Sequence, residues 1–125
     1  MKLSQEQFEK IVGEALDNLP DKFKKRLHNV AVIVADFPTD EQLGKVNKNG
    51  KYSLLGLYEG YIQSRRLNFG PVLPDKITIF RIPLMQSCDN IVDCQKAIEN
   101  TVKHEIAHHF GSDERGAQKA ARRRT

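Results

Sequence analysis

The segment "TVKHEIAHHFGSDERG", residues 101–116, contains three of the four histidines in the chain. His104 and His108 are four residues apart, which on an α-helix places both imidazoles on one face, where they can bind the same metal ion. Glu105 lies about 100° around the helix from His104, so it does not point at the metal but can reach a water molecule beside it. This H-E-x-x-H spacing predicts two zinc ligands and a general base.

The residues before the motif indicate how such a helix would be held. Ala97 and Thr101 share the face of the two histidines and are small enough to leave a metal site open. Ile98, Val102 and Ile106 form a separate apolar stripe. Because apolar residues at helical spacing mark the buried face, we expect this stripe to anchor the helix on a sheet.

Two further residues of the segment have predicted structural roles. His109 falls nearer the apolar stripe than the metal face, so we expect a core histidine or one that supports the site without binding metal. Gly111 is expected to end a helix of about residues 90–110 as its C-terminal cap. The chain would then turn sharply enough to bring a third ligand back to the same metal.

The motif and the segments before it resemble a known family. "HEIAHHFG", preceded by "LLGLYEG" and "LPDKITIFRIPL", is similar to the small bacterial zincin-like metallopeptidases with a minimal matrix-metalloprotease-like fold, over about residues 29–114. The resemblance implies an active-site helix packed on a small mixed sheet. It also implies Zn²⁺ on His104 and His108, and hydrolysis of peptide bonds with Glu105 as the catalytic base.

The third metal ligand is where the sequence departs from the family pattern. The extended motif H-E-x-x-H-x-x-G-x-x-(H/D) has its third ligand three residues beyond the glycine. That position holds Glu114 here, whereas an aspartate, the more usual residue, stands one position earlier at Asp113. Position favours Glu114 and residue type favours Asp113, so both carboxylates are candidate ligands.

The other elements follow from local patterns. Ser4 with Gln7 forms a capping box that predicts a helix over "SQEQFEKIVGEALDNL", and Pro20 opens a second, short helix. "NVAVIVAD", "SLLGLYEGY" and "DKITIFRIPL" predict strands, the last with Ile77, Ile79 and Arg81 on one face. Residues 37–52 and 62–74 are predicted loops, from their Pro, Gly and Asn content.

These elements predict an α+β fold, with a small mixed β-sheet packed against an N-terminal helix and a C-terminal active-site helix. A glycine inside a short strand marks a bulge or a close backbone approach, and Gly56 is such a residue. At 125 residues the chain suits one domain, 1–125. The composition, 39% hydrophobic and 29% charged, is typical of soluble globular proteins.

Composition also bears on location and redox state. No apolar run approaches the roughly 20 residues that span a bilayer, and the start of the chain turns polar after Leu3, unlike a secretory signal. We therefore expect a cytoplasmic monomer without a membrane partner. Cys88 and Cys94, with five residues between them, are expected to be free thiols, and a local disulfide is the alternative.

An extended peptide is the expected partner, adding to an exposed sheet edge by backbone hydrogen bonds. "SLLGLYEG" is the candidate edge, and in it Tyr58 is expected to serve in packing rather than in stabilising an oxyanion. The alternative function is a zincin-fold binding or regulatory module with weak or no peptidase activity. Nucleic acid is not an expected partner, because the basic end "ARRRT" has no interleaved aromatic residues.

Overall fold

The structure, a computed structural model, describes residues 2–60 and 74–110 in full and the helical backbone of residues 111–122. Its elements in chain order are α1 (Gln5–Asp17), α2 (Asp21–Arg26), β1 (Val30–Ala35), α3 (Asp40–Lys45), β2 (Gly56–Glu59), β3 (Asp75–Phe80), α4 (Arg81–Gln86) and α5 (Ile91–Arg122). The three strands form one sheet in the order β1-β3-β2. Strand β3 is parallel to β1 and antiparallel to β2, so the predicted α+β fold with a small mixed sheet is confirmed.

Helix α1 begins where its capping box predicts. The Ser4 hydroxyl accepts the Gln7 backbone N–H at 3.1 Å, and the Gln7 side chain accepts the Ser4 N–H at 2.9 Å. Two amides that the first turn of a helix leaves without partners are therefore satisfied. The apolar residues of α1 recur at helical spacing and are buried at Phe8, Ile11, Val12 and Ala15.

The sheet separates two apolar clusters. Ile77 and Ile79 are fully buried on the face that packs against α1 and α5. Because side chains alternate along a strand, Thr78 and Phe80 point to the opposite face. There Phe80 packs with Leu43, from α3, and with two leucines of the β2 region, Leu54 and Leu57.

Two predicted boundaries near the sheet are wrong. Residues 37–52 are not all loop, because a second capping box at Thr39 and Gln42 starts α3. The strand in "DKITIFRIPL" ends at Phe80, and Arg81 opens α4 instead of sharing a strand face with the isoleucines. Arg81 is held there by Asp36, whose carboxylate lies 2.9 Å from the guanidinium, while Pro83 sits in the first turn, where no N–H is needed.

The predicted end of the last helix is also wrong. Helix α5 runs through Gly111 to Arg122. A single glycine lowers helix stability by about 1 kcal/mol relative to alanine, which does not stop a helix on its own. The residues that follow are mostly strong helix formers such as Ala, Glu, Gln, Lys and Arg, so local propensity carries the helix onward. The predicted loop at 62–74 lies, except for residue 74, outside the described residues.

Both cysteines are free thiols, as expected. Burial and a hydrogen bond with the Cys88 thiol raise the pKa of Cys94 to about 12. In the part of the chain that the structure describes, no helix has the length and apolar character needed to cross a bilayer.

Candidate functional site

A cleft of about 730 Å³ lies between the edge strand β2 and helix α5. This size falls in the range of small-molecule and peptide-side-chain sites. One wall comes from the motif, with His104, Glu105, His108 and His109. The rest comes from β2 and the end of α3, with the remaining lining residues Lys45, Val46, Lys48, Leu54, Leu57, Tyr58, Glu59 and Gly60.

The two motif histidines both open onto this cleft. His104 and His108 are exposed, and their ring centroids are 5.3 Å apart with the rings inclined at 46°. The stripe of Ile98, Val102 and Ile106 is fully buried on the opposite side of the helix. The helix is thus anchored by its apolar face and presents the histidine pair to solvent, as their spacing predicts.

Two imidazoles one helical turn apart suit zinc, which takes nitrogen ligands in tetrahedral sites. Among residues 2–60 and 74–110, however, no group of three histidine, cysteine or acidic side chains comes together. The side chains of Asp113 and Glu114 lie outside the described residues. Residue 114 is six positions beyond His108, about 9 Å along an ideal helix axis, so a third ligand from this segment requires the helix to end or open near Gly111.

Glu105 contacts the edge strand directly. Its Oε1 atom accepts a hydrogen bond from the backbone N–H of Tyr58 at 2.9 Å. The carboxylate is half-buried between the strand and the two histidines. A carboxylate that accepts a backbone N–H at this distance makes one of the stronger kinds of hydrogen bond in proteins.

The Tyr58 side chain ties β2 to the helix beside the motif. Its hydroxyl donates to Asp75 Oδ2 at 2.8 Å, and its ring stacks on His109 at 3.9 Å between centroids. His109 Nε2 lies 3.8 Å from the same Asp75 oxygen. Of the two roles expected for His109, the core position is wrong, since its side chain is 35% exposed. Its contacts with Tyr58 and Asp75 lie beside the motif. The Tyr58 contacts agree with the expected packing role, and nothing in the sequence signalled Asp75.

Strand and helix approach closely at Gly56. A Cβ atom at this position would lie 2.6 Å from Thr101 Cγ2 and 3.2 Å from the Thr78 carbonyl oxygen. No side chain fits at such distances without movement of its neighbours. The predicted close approach at Gly56 is confirmed. It determines how near α5 lies to β2 at Thr101, one helical turn before Glu105.

The far wall of the cleft is joined to β2 by polar contacts. Lys45 Nζ lies 2.6 Å from Glu59 Oε2, and the Gln42 side chain donates to Glu59 Oε1 at 2.9 Å. Burial of Glu59 opposes its ionisation, but these hydrogen bonds outweigh burial and hold the pKa of Glu59 below its ordinary value. The hydrogen bond with Glu59 raises the pKa of Lys45. A capping-box signal, T-D-E-Q at 39–42, could have located this wall from the sequence.

Comparison with known proteins identifies the class of protein to which this site belongs. The family described as zincin-like metallopeptidase matches residues 27–121, about three quarters of the chain. The chain belongs to the zincin-like metallopeptidase family. Among solved structures, the chain is similar to a conserved hypothetical protein from Thermo thermophilus, with a TM-score of 0.52 and 22% identity over 87% of this chain and 95% of that one. This likeness supports the fold alone, and no curated protein matches the chain.

In this zincin-like protein the fold brings together three of the five predicted site residues. His104, Glu105 and His108 line one cleft beside the edge strand. The choice between Asp113 and Glu114 stays a prediction, since their side chains are outside the described part of the structure.

Proposed function

We propose that this zincin-like protein is a zinc-dependent peptidase that hydrolyses peptide bonds of an extended substrate lying along β2. The observation that carries the proposal is the position of Glu105, between two exposed histidines and in contact with the backbone of an edge strand. A base at this position lies next to the metal site and next to the strand that a peptide would join.

His104 and His108 would hold the zinc through their ring nitrogens, with Asp113 or Glu114 as the third ligand. Zinc in such an open site lowers the pKa of water toward neutrality and polarises a carbonyl group. Glu105 accepts a proton from the attacking water and passes it to the leaving amine. Tyr58 keeps strand and helix together through Asp75 and His109, so the base stays aligned with the cleft.

The substrate would bind as an added strand. In the described sheet, β2 has β3 on one side only. On its outer side the Tyr58 N–H donates to Glu105, so a peptide would pair there by replacing this carboxylate. Side chains of a peptide bound there would alternate between the cleft and solvent. The apolar part of the cleft, formed by Leu54, Leu57 and Val46, would receive an apolar side chain.

Zinc binding is the first test of the proposal. We expect about one zinc per chain in the wild-type protein and none after His104→Ala together with His108→Ala, because the two imidazoles supply two of the three proposed protein ligands. Metal content after dialysis measures this. Stoichiometric zinc in the double variant would remove the histidine pair from the site.

Hydrolysis is tested with a conservative change at the base. Glu105→Gln should keep zinc and lose cleavage of a peptide library, since an amide can accept a hydrogen bond from water but cannot accept its proton. A catalytic base contributes typically 10²–10⁴-fold, so the loss should be at least about a hundredfold. Cleavage at the wild-type rate would exclude this role for Glu105.

The third ligand is decided by chelator competition on two variants. Glu114→Ala should weaken zinc affinity by well over tenfold, a loss above about 1.4 kcal/mol, and Asp113→Ala should cost less. A larger effect of Asp113→Ala would identify the aspartate as the ligand.

A binding or regulatory module is the second candidate function, and the continuation of α5 through Gly111 favours it. An unbroken helix does not return a carboxylate to the histidine pair, which would leave a weaker metal site. If neither carboxylate variant changes zinc affinity and no peptide is cleaved, the module becomes the better description.

A further inference from the structure

We propose that Glu105 and a bound peptide compete for one donor, the backbone N–H of Tyr58. In the free protein this amide holds the carboxylate, and a peptide strand that pairs with β2 takes the amide and releases the base. Tyr58 is thus a positioning residue that acts through its main chain. The inference rests on the proposed function and specifies how substrate binding and the catalytic base are coupled.

The pairing of β2 shows which of its backbone groups face outward. The Phe80 N–H donates to the Leu55 carbonyl oxygen at 2.9 Å, just before β2 begins. Backbone groups of an antiparallel strand alternate in direction every residue, so Leu57 and Glu59 also direct theirs toward β3. The backbone groups of Gly56 and Tyr58 therefore point away from β3, to the outer side of the strand.

Glu105 accepts a hydrogen bond from one of these outward-facing groups, the Tyr58 N–H, and both residues line the cleft. Its Oε1 lies 2.9 Å from the Tyr58 nitrogen, which agrees with the direction given by the strand register. A peptide pairing with this side of β2 would have to place a carbonyl oxygen at the same point, since one N–H makes one well-aligned hydrogen bond. The two acceptors therefore exclude each other.

The helix cannot move aside to share the donor. Thr101 lies against Gly56 one turn before Glu105, and Ile106 is fully buried immediately after it. Tyr58 itself is fixed by Asp75 and by the stacked His109 ring. Because both backbones are fixed, the exchange must occur by rotation of the Glu105 side chain.

This exchange couples two events that catalysis needs together. Before a peptide binds, the carboxylate is held at the strand. After it binds, the Tyr58 amide is satisfied by the peptide carbonyl, and the carboxylate is free to take a proton from water beside the histidines. The hydrogen bond that Glu105 gives up lowers the apparent affinity for peptide, so its removal should raise that affinity.

Three variants of the zinc-loaded full-length protein test the exchange. Glu105→Gln keeps an oxygen acceptor at the same position, whereas Glu105→Met has similar length without one, and Glu105→Ala removes both length and acceptor. All three lose the same charge and the general base, so net charge is matched and peptides persist during the measurement. Retention of a random library of blocked decapeptides, read by mass spectrometry after equilibrium filtration, compares them.

We expect Glu105→Met and Glu105→Ala to retain peptides about tenfold more strongly than Glu105→Gln. Amide hydrogen exchange at Tyr58 should be slow in Glu105→Gln, fast in Glu105→Met, and slow again when peptides are added to Glu105→Met. A merely structural role of Glu105 would weaken binding in the Met and Ala variants instead.

Equal or weaker retention by the Met and Ala variants would overturn the inference, as would absence of retention by all three. Wild-type cleavage of the same library, measured separately, reports on the proposed function. Cleavage without stronger retention in the Met variant defeats only the exchange. Stronger retention without wild-type cleavage defeats only the peptidase and leaves the exchange as a property of a binding site.

Discussion

Gly56→Ala is a sharp test of how strand and helix fit together at the site. The new Cβ would lie 2.6 Å from Thr101 Cγ2 and 3.2 Å from the Thr78 carbonyl oxygen. Overpacking of this kind costs about 1–3 kcal/mol. The backbone of Gly56 has no positive φ, so alanine also restricts the unfolded chain and offsets about 0.4–1 kcal/mol of that cost.

The steric term is the larger one, so we expect a net loss of about 1–2 kcal/mol in the free energy of unfolding. For a domain of this size that lowers the melting temperature by several degrees. Gly13→Ala is the matched control, because a Cβ there meets nothing within 4 Å and the residue lies inside helix α1. It should raise stability by about 0.5–1 kcal/mol.

A double-mutant cycle locates the cause. Thr101→Ser deletes the Cγ2 methyl that the new Cβ would meet, so Gly56→Ala should cost at least about 1 kcal/mol less in that background. Some cost remains, because the Thr78 carbonyl cannot withdraw. Urea denaturation of the four proteins gives the coupling energy. Additive effects of the two changes, or an unchanged stability of Gly56→Ala, would refute the close approach described for this position.

Three further outcomes are expected. Thr78→Val should raise the free energy of unfolding by about 1 kcal/mol in urea denaturation, because the buried Thr78 hydroxyl has no hydrogen-bond partner among the described residues. A lower free energy of unfolding would contradict this. Glu59→Gln should remove about 1 kcal/mol of stability near pH 7. In the wild type the Glu59 contribution is present above its unfolded pKa and is lost as pH falls through its lowered folded pKa, while the contribution of Lys45 is lost as pH rises through its raised pKa. Acidification should therefore progressively narrow the difference in unfolding free energy between wild type and Glu59→Gln. With a thiol reagent at pH 8, Cys88 should react in the folded protein and Cys94 only on unfolding, since Cys94 is fully buried and its pKa is raised to about 12. Rapid labelling of Cys94 in the Cys88→Ser variant would contradict this.

Much of the fold follows from short patterns in the sequence. The Ser4–Gln7 capping box starts α1, and the β-branched run at 30–35 is β1. A glycine inside a strand indicates either a bulge or a close approach, and at Gly56 the structure shows the close approach. Each of these signals depends on neighbouring residues only. Such a signal predicts the folded structure correctly when the tertiary contacts favour the same local conformation.

Two of the wrong predictions, the loop at 37–52 and the helix end at Gly111, both relied on residues that are common in turns. The Pro, Gly and Asn content of 37–52 predicts a loop, but two reciprocal hydrogen bonds at Thr39 and Gln42 are enough to start a six-residue helix that packs Leu43 on the sheet. Gly111 by itself predicts the end of the helix, but the helix propensity of the eleven residues after it carries the helix to Arg122.

The histidine pair of the candidate site could be predicted from the sequence, whereas the contacts around it could not. The spacing of His104 and His108 fixes their common face, because helix geometry is invariant. Contacts made across the sheet, such as Tyr58 with Asp75 and with Glu105, depend on the strand register, and register is set by the whole sheet rather than by neighbours in the chain.

The register of β2 and β3 also determines how well the chain tolerates a change of length between these two strands. Glu59 is paired with Lys76, so the chain leaves the sheet and returns to it at one point, beside the rim of the cleft. A connection whose two ends are held together in this way can change length at small cost, since each doubling adds only about 0.6 kcal/mol of closure entropy. A change of length between residues 60 and 74 should therefore leave the histidine helix in place, because the helix is anchored by its own buried stripe of Ile98, Val102 and Ile106.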